Sequence, residues 1–433
     1  MNSRVHKLDF SAVEIIQNKK AKLENTSEEL SWLILNYIEK IIPDYQMASW
    51  LMAVNFNGMS FKETSNYTKE LIKSGSIIKF ENDGREIIDK HSTGGVGDKV
   101  SLILAPILAC MDYKIPMLAG RSLEHTGGTI DKLESIPGFK TNLSLTEFKN
   151  NVNKIGMGIM MQTNDICPAD GKIYELRDVT ATVNSLPLIC GSILSKKIAE
   201  GISTLVLDIK TGNGAFMKNY QKANELGNLM KKIGKNFNLN VLPTFTGMDQ
   251  PLGKTAGIWC EVIESYEFLQ GNYSHDLYNV VLHLFKKFNP KQNTNAIFDD
   301  IILSGKGMNK FIEFIELQGG FSSKLVSKSV NNPSFSKDCF IKSNGFIKSM
   351  DTKMIGFALS ELGVGRPYKY SNIDPTCGVE FYKKIGDEIN PETPAFKIFS
   401  KNKQKLLIAE KKIKSAYYIT NEITKKYNPI ILN

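Results

Sequence analysis

The sequence is most informative about its fold at Lys90-His91-Ser92-Thr93-Gly94-Gly95-Val96-Gly97-Asp98-Lys99-Val100-Ser101. Three glycines within four positions let main-chain N–H groups approach an anion closely, while Lys90 adds charge and Ser92, Thr93 and Ser101 add hydroxyl donors. An apolar helix is predicted over residues 100–110, with the positive end of its dipole toward the loop. The stretch predicts a phosphate site, although a flexible glycine-rich turn would have a similar composition.

The common nucleotide motifs do not fit this loop. A P-loop ends in Gly-Lys-Ser/Thr, and the dinucleotide fingerprint needs a glycine where Val100 stands. A second polar, glycine-rich string spans residues 119–138. If both loops follow strands of one parallel sheet, they emerge at the same carboxyl edge, where open α/β sheets bind ligands.

Working outward, the chain predicts a small helical lobe, a larger α/β lobe with a mostly parallel sheet, and a C-terminal α+β domain. Helical apolar spacing fills residues 1–75, for example from Leu30 to Ile41, and is broken by Pro43. Short apolar runs then alternate with helical stretches. The predicted domains are 1–75, 76–332 and 333–433, and the last contains strand-like pieces on both sides of a Ser-Asn-Gly turn at 343–345.

Composition excludes several classes of function. The net charge of +9 comes from lysines scattered along 433 residues without a recognition motif, so no nucleic-acid partner is expected. No apolar run is long enough to cross a membrane and the start lacks a signal-peptide core, which predicts a cytoplasmic protein. The six cysteines and five histidines show no metal-ligand or disulfide spacing. With so few arginines, each is a candidate for a position that needs a rigid donor fork.

Two further segments place polar donors at helical spacing. Tyr174, Arg177 and Asp178 form one such set, and Ser192 and Lys196 lie four residues apart. The donors of Ser192 and Lys196 therefore share a helix face and could converge on one planar acceptor, although an ordinary helix surface has the same pattern.

With these motifs in view, the sequence resembles the thymidine and pyrimidine nucleoside phosphorylase family over nearly its whole length. The resemblance rests on five blocks in the family's order: residues 90–98, His125-Thr-Gly-Gly-Thr-x-Asp-Lys-Leu-Glu-Ser-Ile-Pro-Gly138, Pro168-Ala-Asp170, Arg177-Asp-x-Thr-Ala-Thr182 and Lys210-Thr-Gly-x-Gly-Ala-Phe-Met217. A set of this length and order is far more specific than any single glycine pattern.

The resemblance implies a homodimer whose helical lobe also takes in part of about 172–200 and closes with the α/β lobe over a cleft. It implies reversible phosphorolysis of thymidine, with deoxyuridine and uridine as further candidates, to a free base and a pentose 1-phosphate. Inorganic phosphate is then the co-substrate, and no organic cofactor is expected.

The resemblance also assigns roles to individual residues. Phosphate would be bound by Lys90, Ser92, Ser101 and Thr129, with Thr93 added from the loop's own chemistry. The pyrimidine would be faced by His91, Tyr174, Arg177, Ser192 and Lys196. Of these, Arg177 and Lys196 would stabilise the anionic leaving group, and His91 would donate to a ring carbonyl or shuttle a proton.

Members of the family can hold a potassium ion near the phosphate loop. The ligand positions fall here at Gly97, Lys99, Leu252, Thr255 and Glu264. Because pyrimidine-type members have a neutral threonine where this chain has Lys99, its ammonium is expected to replace the potassium ion. The alternative is that Lys99 points to solvent.

Four positions depart from the family pattern. Ala119 replaces a serine that helps to hold phosphate, Ser122 and Glu124 stand where glycine is usual, and Met117 stands where pyrimidine-type members can carry lysine. These departures leave phosphate affinity open and favour thymidine over uridine. Two alternatives stay open: a phosphoribosyltransferase of similar architecture, which would need magnesium, and a catalytically impaired relative that acts as a binding protein.

Overall fold

The structure, a computed structural model, describes residues 10–121, 127–365 and 372–431. Its helices are α1 Ala12–Lys20, α2 Ser27–Ile38, α3 Asp44–Asn57, α4 Phe61–Lys73, α5 Val100–Ala109, α6 Thr129–Glu134, α7 Leu145–Ile155, α8 Pro168–Val179, α9 Leu186–Ala199, α10 Tyr220–Asn236, α11 Trp259–Leu269, α12 His275–Phe288, α13 Thr294–Leu303, α14 Lys306–Leu317, α15 Ser322–Val326, α16 Thr352–Leu362 and α17 Lys403–Ser415. Its strands are β1 Ile88–Ser92, β2 Ile115–Ala119, β3 Met157–Met161, β4 Thr204–Thr211, β5 Asn240–Gly247, β6 Thr255–Gly257, β7 Phe335–Cys339, β8 Gly345–Met350, β9 Gly378–Phe381, β10 Glu388–Ile389, β11 Phe396–Ser400 and β12 Tyr417–Thr420.

These elements form two compact units. The first takes in the chain up to Asn82 together with Gln162–Leu205 and Glu225–Val241, and the second takes in Asp83–Met161, Val206–Asn224 and Leu242–Asn433. The first is helical, and the second contains α/β and C-terminal α+β parts, so the predicted fold class is confirmed. The domain boundaries drawn from sequence, 1–75, 76–332 and 333–433, remain predictions.

In the first unit, the apolar spacing folds into helices with well-defined starts. Thr26 caps α2 by a capping box with Glu29, and Pro43 directly precedes α3. The predicted apolar face is buried, including Leu33 and Trp50. Ile41 is the exception, with 64% of its surface exposed, because α2 already ends at Ile38.

In the second unit, strands of the α/β part contribute residues to a large apolar core. Strands β2 and β3 pair in parallel, and a parallel bridge between Ile87 and Lys114 connects the start of β1 to the start of β2. Strand β1 is followed in its sheet by β4 and then β5. The predicted apolar helix after the glycine loop is α5, which packs into this core.

The C-terminal part of the second unit consists of two antiparallel sheets around a separate core. One has the order β10-β8-β12 and the other β6-β9-β11-β7. The strands on either side of the Ser-Asn-Gly turn, β7 and β8, therefore belong to different sheets, because β7 pairs with β11 while β8 pairs with β10 and β12. Strand β6 lies earlier in the chain and pairs with β9.

In the described part of the chain, no helix combines the length and the apolar character needed to cross a lipid bilayer.

Candidate functional site

The glycine-rich loop follows β1 and is shaped by two glycines with left-handed backbone angles. Gly94 has a φ of 87° and Gly97 a φ of 77°. At Gly97 a Cβ atom would lie 2.5 Å from the Leu252 carbonyl oxygen, so a side chain there is excluded by close packing as well as by φ. These glycines fix the path of the loop into α5.

Asp98 organises the polar contacts of this loop, a role the sequence did not indicate. Its carboxylate accepts hydrogen bonds from Ser92 Oγ at 2.6 Å and from the Val100 N–H at 3.3 Å, so it binds at the start of α5, where a phosphate was expected. Lys132 of α6 donates to the Asp98 carbonyl oxygen at 2.7 Å. Burial alone would raise the pKa of Asp98, but Lys210 and Lys90 hold that pKa well below its ordinary value.

Lys90 is the predicted phosphate ligand whose environment is most unusual. Its side chain is 1% exposed, and Nζ lies 3.9 Å from Asp98 Oδ1. This ammonium makes no hydrogen bond with any residue that the structure describes. Burial lowers the pKa of Lys90, against the raising influence of Asp98 and Asp208. The chain therefore holds a desolvated cation that lacks a close partner beside the glycine loop.

Lys210, at the end of β4, belongs to the same cluster. Its Nζ lies 2.7 Å from Asp208 Oδ2, 2.9 Å from Thr246 Oγ1 and 3.9 Å from Asp98 Oδ2. The main-chain N–H of Lys210 donates to Thr93 Oγ1 at 2.9 Å, which ties the loop to β4. Lys210 lies in one of the family blocks, but the sequence assigned it no role. Its position at the end of a buried strand was the one feature that could have indicated a place in the site.

The other residues predicted to bind phosphate or the base in this unit lie around the loop's elements. His91 is half-buried and lies between Lys90 and Ser92 on β1, so strand alternation turns it to the opposite face. Ser101 lies in the first turn of α5, and Thr129 begins α6.

Two of the positions that depart from the family pattern, Ala119 and Met117, lie on β2. Ala119 is half-buried at the end of β2, and Met117 is buried on the same strand. The other two positions, Ser122 and Glu124, lie outside the described residues. Arg121 is held by α6, because its guanidinium binds Glu134 through two hydrogen bonds of 2.6 and 2.8 Å.

Lys99 occupies the predicted cation position. Its Nζ lies 2.9 Å from the carbonyl oxygens of Leu252 and Thr255 and 2.9 Å from Glu264 Oε2. The Lys99 side chain is 0% exposed, so the alternative in which it points to solvent is wrong. Burial would lower the pKa of Lys99, but Glu264 and Glu261 together outweigh burial and raise that pKa. These oxygens suit a monovalent cation. Because the Lys99 ammonium already binds them, they do not fit an additional potassium ion.

The predicted base-contacting residues of the first unit come together on α8 and α9. Lys196 Nζ donates to Ser192 Oγ at 2.9 Å and pairs closely with Asp170 of α8. The Tyr174 ring centroid lies 5.9 Å from Lys196 Nζ and 5.7 Å from Arg177 Cζ. The predicted shared face of Ser192 and Lys196 is therefore present, and Asp170 is an additional member that the sequence left without a role.

Arg177 differs from the other members because each of its three side-chain nitrogen atoms already donates a hydrogen bond to the main chain. Its guanidinium is buried and donates to the carbonyl oxygens of Thr182, Val183 and Leu188 at 3.3, 2.8 and 3.1 Å. These three carbonyls lie in the turn between α8 and α9 and in the first turn of α9. Arg177 therefore fixes the path of the chain into the helix that carries Ser192 and Lys196, a role that its predicted function did not include.

Two buried polar atoms of the first unit lack hydrogen-bond partners among the described residues. These are Asp170 Oδ1 and Tyr67 Oη. Burial raises the pKa of Tyr67, with Arg177 acting in the opposite direction. The Tyr67 ring packs on α9 at Gly191, where a Cβ atom would lie 2.6 Å from ring carbons. This glycine lets α4 and α9 approach closely.

The helical unit and the α/β part correspond to two domains of the glycosyl transferase family. The helical bundle domain of the glycosyl transferase family matches residues 13–75, and its a/b domain matches residues 84–283. The pyrimidine nucleoside phosphorylase C-terminal domain matches residues 346–420.

Two curated relatives define the family more closely. A pyrimidine-nucleoside phosphorylase of Bacillus subtilis is 39% identical over 396 residues, which cover 90% of this chain and 92% of the relative. One of Staphylococcus aureus is 37% identical over 419 residues, covering 95% of this chain and 96% of the relative. The chain belongs to the pyrimidine-nucleoside phosphorylase family.

Solved structures share the fold at much lower identity. Anthranilate phosphoribosyltransferase from Thermus thermophilus matches with a TM-score of 0.56 and 13% identity, covering 70% of this chain and 99% of that one. The Saccharomyces cerevisiae enzyme, in complex with PRPP and Mg, matches with a TM-score of 0.55 and 14% identity, covering 71% and 98%. At such identities the likeness concerns the fold alone.

Proposed function

We propose that the protein is a pentosyltransferase that catalyses the reversible phosphorolysis of thymidine to thymine and deoxyribose 1-phosphate. The observation that carries this proposal is the Lys90 ammonium, which is buried beside the glycine loop without a hydrogen-bond partner among the described residues. A buried cation that, among the described residues, makes no hydrogen bond and has its nearest carboxylate 3.9 Å away is unfavourable, and a phosphate dianion would supply further negative charge and acceptors. Ser92, Thr93, Ser101 and Thr129 are the proposed neutral donors to the same anion.

The helix pair α8–α9 supplies the groups suited to the departing base. A phosphate oxygen attacks the anomeric carbon while the carbon–nitrogen bond breaks, and the electron pair of that bond goes to the pyrimidine. Lys196 and Ser192 present adjacent donors, 2.9 Å apart, for the negative charge that develops on the ring. His91 is the proposed donor to a ring carbonyl, and Tyr174 the proposed packing surface. Arg177 supports the site by holding the start of α9, because its donors bind main-chain carbonyls.

The finer substrate preference rests on Met117. This buried residue stands where pyrimidine-type members can carry lysine, so thymidine is the proposed main substrate, with deoxyuridine and uridine weaker. The cytoplasm is the proposed location because all six cysteines are free thiols.

A homodimer is the proposed assembly. Tyr45, Ser49, Met52 and Phe56 follow one another along one face of α3, and the rings of Tyr45 and Phe56 are 74% and 79% exposed. Large exposed rings in one row favour a protein contact, and a second copy of this chain is the occupant proposed. Phe56→Glu should shift the molar mass measured by light scattering toward the monomer. Ile423→Glu, at another exposed apolar position, should leave the mass unchanged; a monomeric wild type would contradict the proposal.

Lys99 is proposed to replace potassium. Its ammonium binds two carbonyl oxygens and the Glu264 carboxylate, and so supplies the single positive charge that this set of oxygens attracts. The phosphorylase would then work without a monovalent metal ion.

The function is tested by measuring thymine release from thymidine with and without inorganic phosphate. The proposal predicts release that depends on phosphate and proceeds without magnesium. Release that requires pyrophosphate and magnesium would instead indicate phosphoribosyl transfer. Binding of thymidine without any turnover would indicate the catalytically impaired relative, for which Ala119 is the relevant departure.

A further inference from the structure

The family block at the end of β4, Lys210-Thr-Gly-Asn-Gly214, contains a residue with no role in the proposed chemistry, Asn213, whose side chain makes several contacts. Asn213 Nδ2 donates to the Met350 carbonyl oxygen at 3.0 Å, and Asn213 Oδ1 accepts from the Thr352 N–H at 2.7 Å. Asn213 thus joins the strand that carries Lys210 to the start of α16, in the C-terminal part of the same unit.

Asp249 completes this network from the segment after β5. Its Oδ1 accepts from the Asn213 N–H at 2.8 Å and from Asn213 Nδ2 at 3.2 Å. Gly212, with a φ of 111°, packs directly on this carboxylate, because a Cβ atom there would lie 2.4 Å from Asp249 Oδ1. The turn after Lys210 therefore packs closely on the Asp249 carboxylate and is hydrogen-bonded to it.

Tyr427 holds Asp249 from the other side. Its hydroxyl accepts from the Asp249 N–H at 3.2 Å and lies 3.4 Å from Asp249 Oδ2, to which it donates. The segment that carries Tyr427 also covers the end of β5: the Gly247 N–H donates to the Pro429 carbonyl oxygen at 2.7 Å, and Thr246 forms an antiparallel bridge with Ile430. A side chain at Gly247 would collide with the Tyr427 hydroxyl.

This segment reaches the charged cluster of Lys90, Asp98 and Lys210 through one residue. Thr246, which is bridged to Ile430, is also the residue whose Oγ1 accepts from Lys210 Nζ at 2.9 Å and donates to Asp208 Oδ1 at 2.6 Å. The position of Lys210 is therefore fixed both through the Asn213–Asp249–Tyr427 network and through the strand end that the C-terminal segment covers.

We propose that Tyr427, acting through Asp249 and Asn213, is a positioning residue for the phosphate-binding cluster around Lys210, so that the C-terminal segment tunes phosphate affinity. This rests on the proposed phosphorylase function. Tyr427 touches no reacting group; it sets the path of the loop and strand end that place Lys210 beside Asp98. Its loss should weaken phosphate binding selectively and leave the nucleoside's contacts on α8 and α9 unchanged.

The test is a kinetic double-mutant cycle on Tyr427→Phe and Asn213→Ala, with thermal melts in parallel. Tyr427→Phe should raise the KM for phosphate about fivefold, and Asn213→Ala should raise it about tenfold, while the KM for thymidine stays within about twofold of wild type. The double variant should be no worse than Asn213→Ala alone, because both act through one network. Tyr417→Phe is the matched control: Tyr417 is another buried tyrosine of the C-terminal sheets, it donates to the Lys383 carbonyl oxygen, and its loss should not change the KM for phosphate.

Three results would overturn the proposal: an unchanged KM for phosphate in Tyr427→Phe, equal rises in both KM values, or effects that multiply in the double variant. A fall in melting temperature without a change in the KM for phosphate would mean that Tyr427 only stabilises the fold. If the wild type itself showed no phosphate-dependent activity, the phosphorylase function would fail and this role with it. An active wild type with unaffected variants would remove only the role of Tyr427.

Discussion

The glycine-rich loop and the helix pair α8–α9 both contain cations with little exposure, but Lys90 of the loop differs from the cations of the helix pair in its partners. In the helix pair, Arg177 binds three main-chain carbonyls and Lys196 binds a carboxylate and a hydroxyl. In the loop, Lys90 has no hydrogen-bond partner among the described residues, and its pKa is lowered by burial. A guanidinium whose three nitrogen atoms all donate to main-chain carbonyls, as in Arg177, supports the fold, whereas the Lys90 ammonium, which makes no hydrogen bond with any described residue, is available to a ligand.

The loop also contains both kinds within ten residues. Lys99 is as buried as Lys90, yet it binds two carbonyl oxygens and Glu264, and its pKa is raised. Position along the chain therefore says little about which lysine meets the substrate. The partners of each ammonium separate the two roles, and the following variants test that separation.

The largest effect is expected for Arg177→Ala. It leaves three buried carbonyl groups without their charged donor, which should lower the free energy of unfolding by about 3–5 kcal/mol and reduce activity as the start of α9 loosens. Urea unfolding followed by circular dichroism measures this. Arg85→Ala, which removes an exposed contact to Asp83, is the control and should cost far less. If Arg177→Ala lost activity at full stability, Arg177 would contact the base directly.

Lys196→Met should reduce turnover more than stability. It removes a charge-assisted donor to the developing base anion, which should lower kcat/KM for thymidine by about 3 kcal/mol, or more than one hundredfold. Lys197→Met is the matched control on the same helix: Lys197 pairs with Glu200, so its loss should reduce stability and spare the turnover of the folded enzyme. Near-normal turnover in Lys196→Met would contradict the base site.

Lys99→Thr should remove the ammonium and allow a potassium ion to bind in its place. The wild type should show the same activity and melting temperature in sodium and potassium buffers of equal ionic strength, because the ammonium already neutralises Glu264. The variant should lose stability in sodium and regain part of it in potassium. A potassium requirement in the unmodified enzyme would refute the replacement.

The smallest effect is expected for Ala119→Ser. One added hydroxyl at the end of β2 should lower the KM for phosphate by an amount equivalent to about 1 kcal/mol. Steady-state kinetics at varied phosphate measures it. An unchanged or raised KM, with an intact fold, would show that Ala119 does not face the anion.

Much of the fold followed from local patterns in the sequence. The apolar spacing before and after Pro43 gave two buried helices, and the run from Val100 gave α5, because periodicity and a proline break act over short distances. Strands on both sides of the Ser-Asn-Gly turn were expected within residues 340–350, which holds for β8, whereas β7 ends earlier, at Cys339. The membership of these strands in two different sheets was not predicted, since it depends on pairing with β10, β11 and β12 far along the chain.

In the candidate site too, local arrangements could be predicted from the sequence and long-range contacts could not. The pairing of Ser192 with Lys196 could be predicted because both lie on one helix. The roles of Asp98, Asp170 and Lys210 could not, because each depends on which distant side chain the fold brings to its charged group. The main-chain contacts of Arg177 could not be predicted either. Every residue has a carbonyl acceptor, so the sequence does not show which carbonyls the fold brings to the guanidinium.

Removing the charge of Lys90 tests whether burial disfavours this ammonium in the absence of a ligand. In the absence of phosphate, the folded state lowers the pKa of Lys90, so between that lowered value and 10.5 the unfolded chain binds more protons. The stability of the wild type should therefore rise with pH in that window, and Lys90→Met should lack this rise.

The most direct measurement is the thermal melt of the wild type and Lys90→Met with and without inorganic phosphate. Without phosphate the variant should melt at an equal or higher temperature, because the buried charge that burial disfavours is gone. With phosphate at one hundred times its dissociation constant, the wild type should gain about 2.7 kcal/mol of stability and the variant almost none. A variant that is stabilised by phosphate as strongly as the wild type, or a wild type that phosphate does not stabilise, would contradict the account.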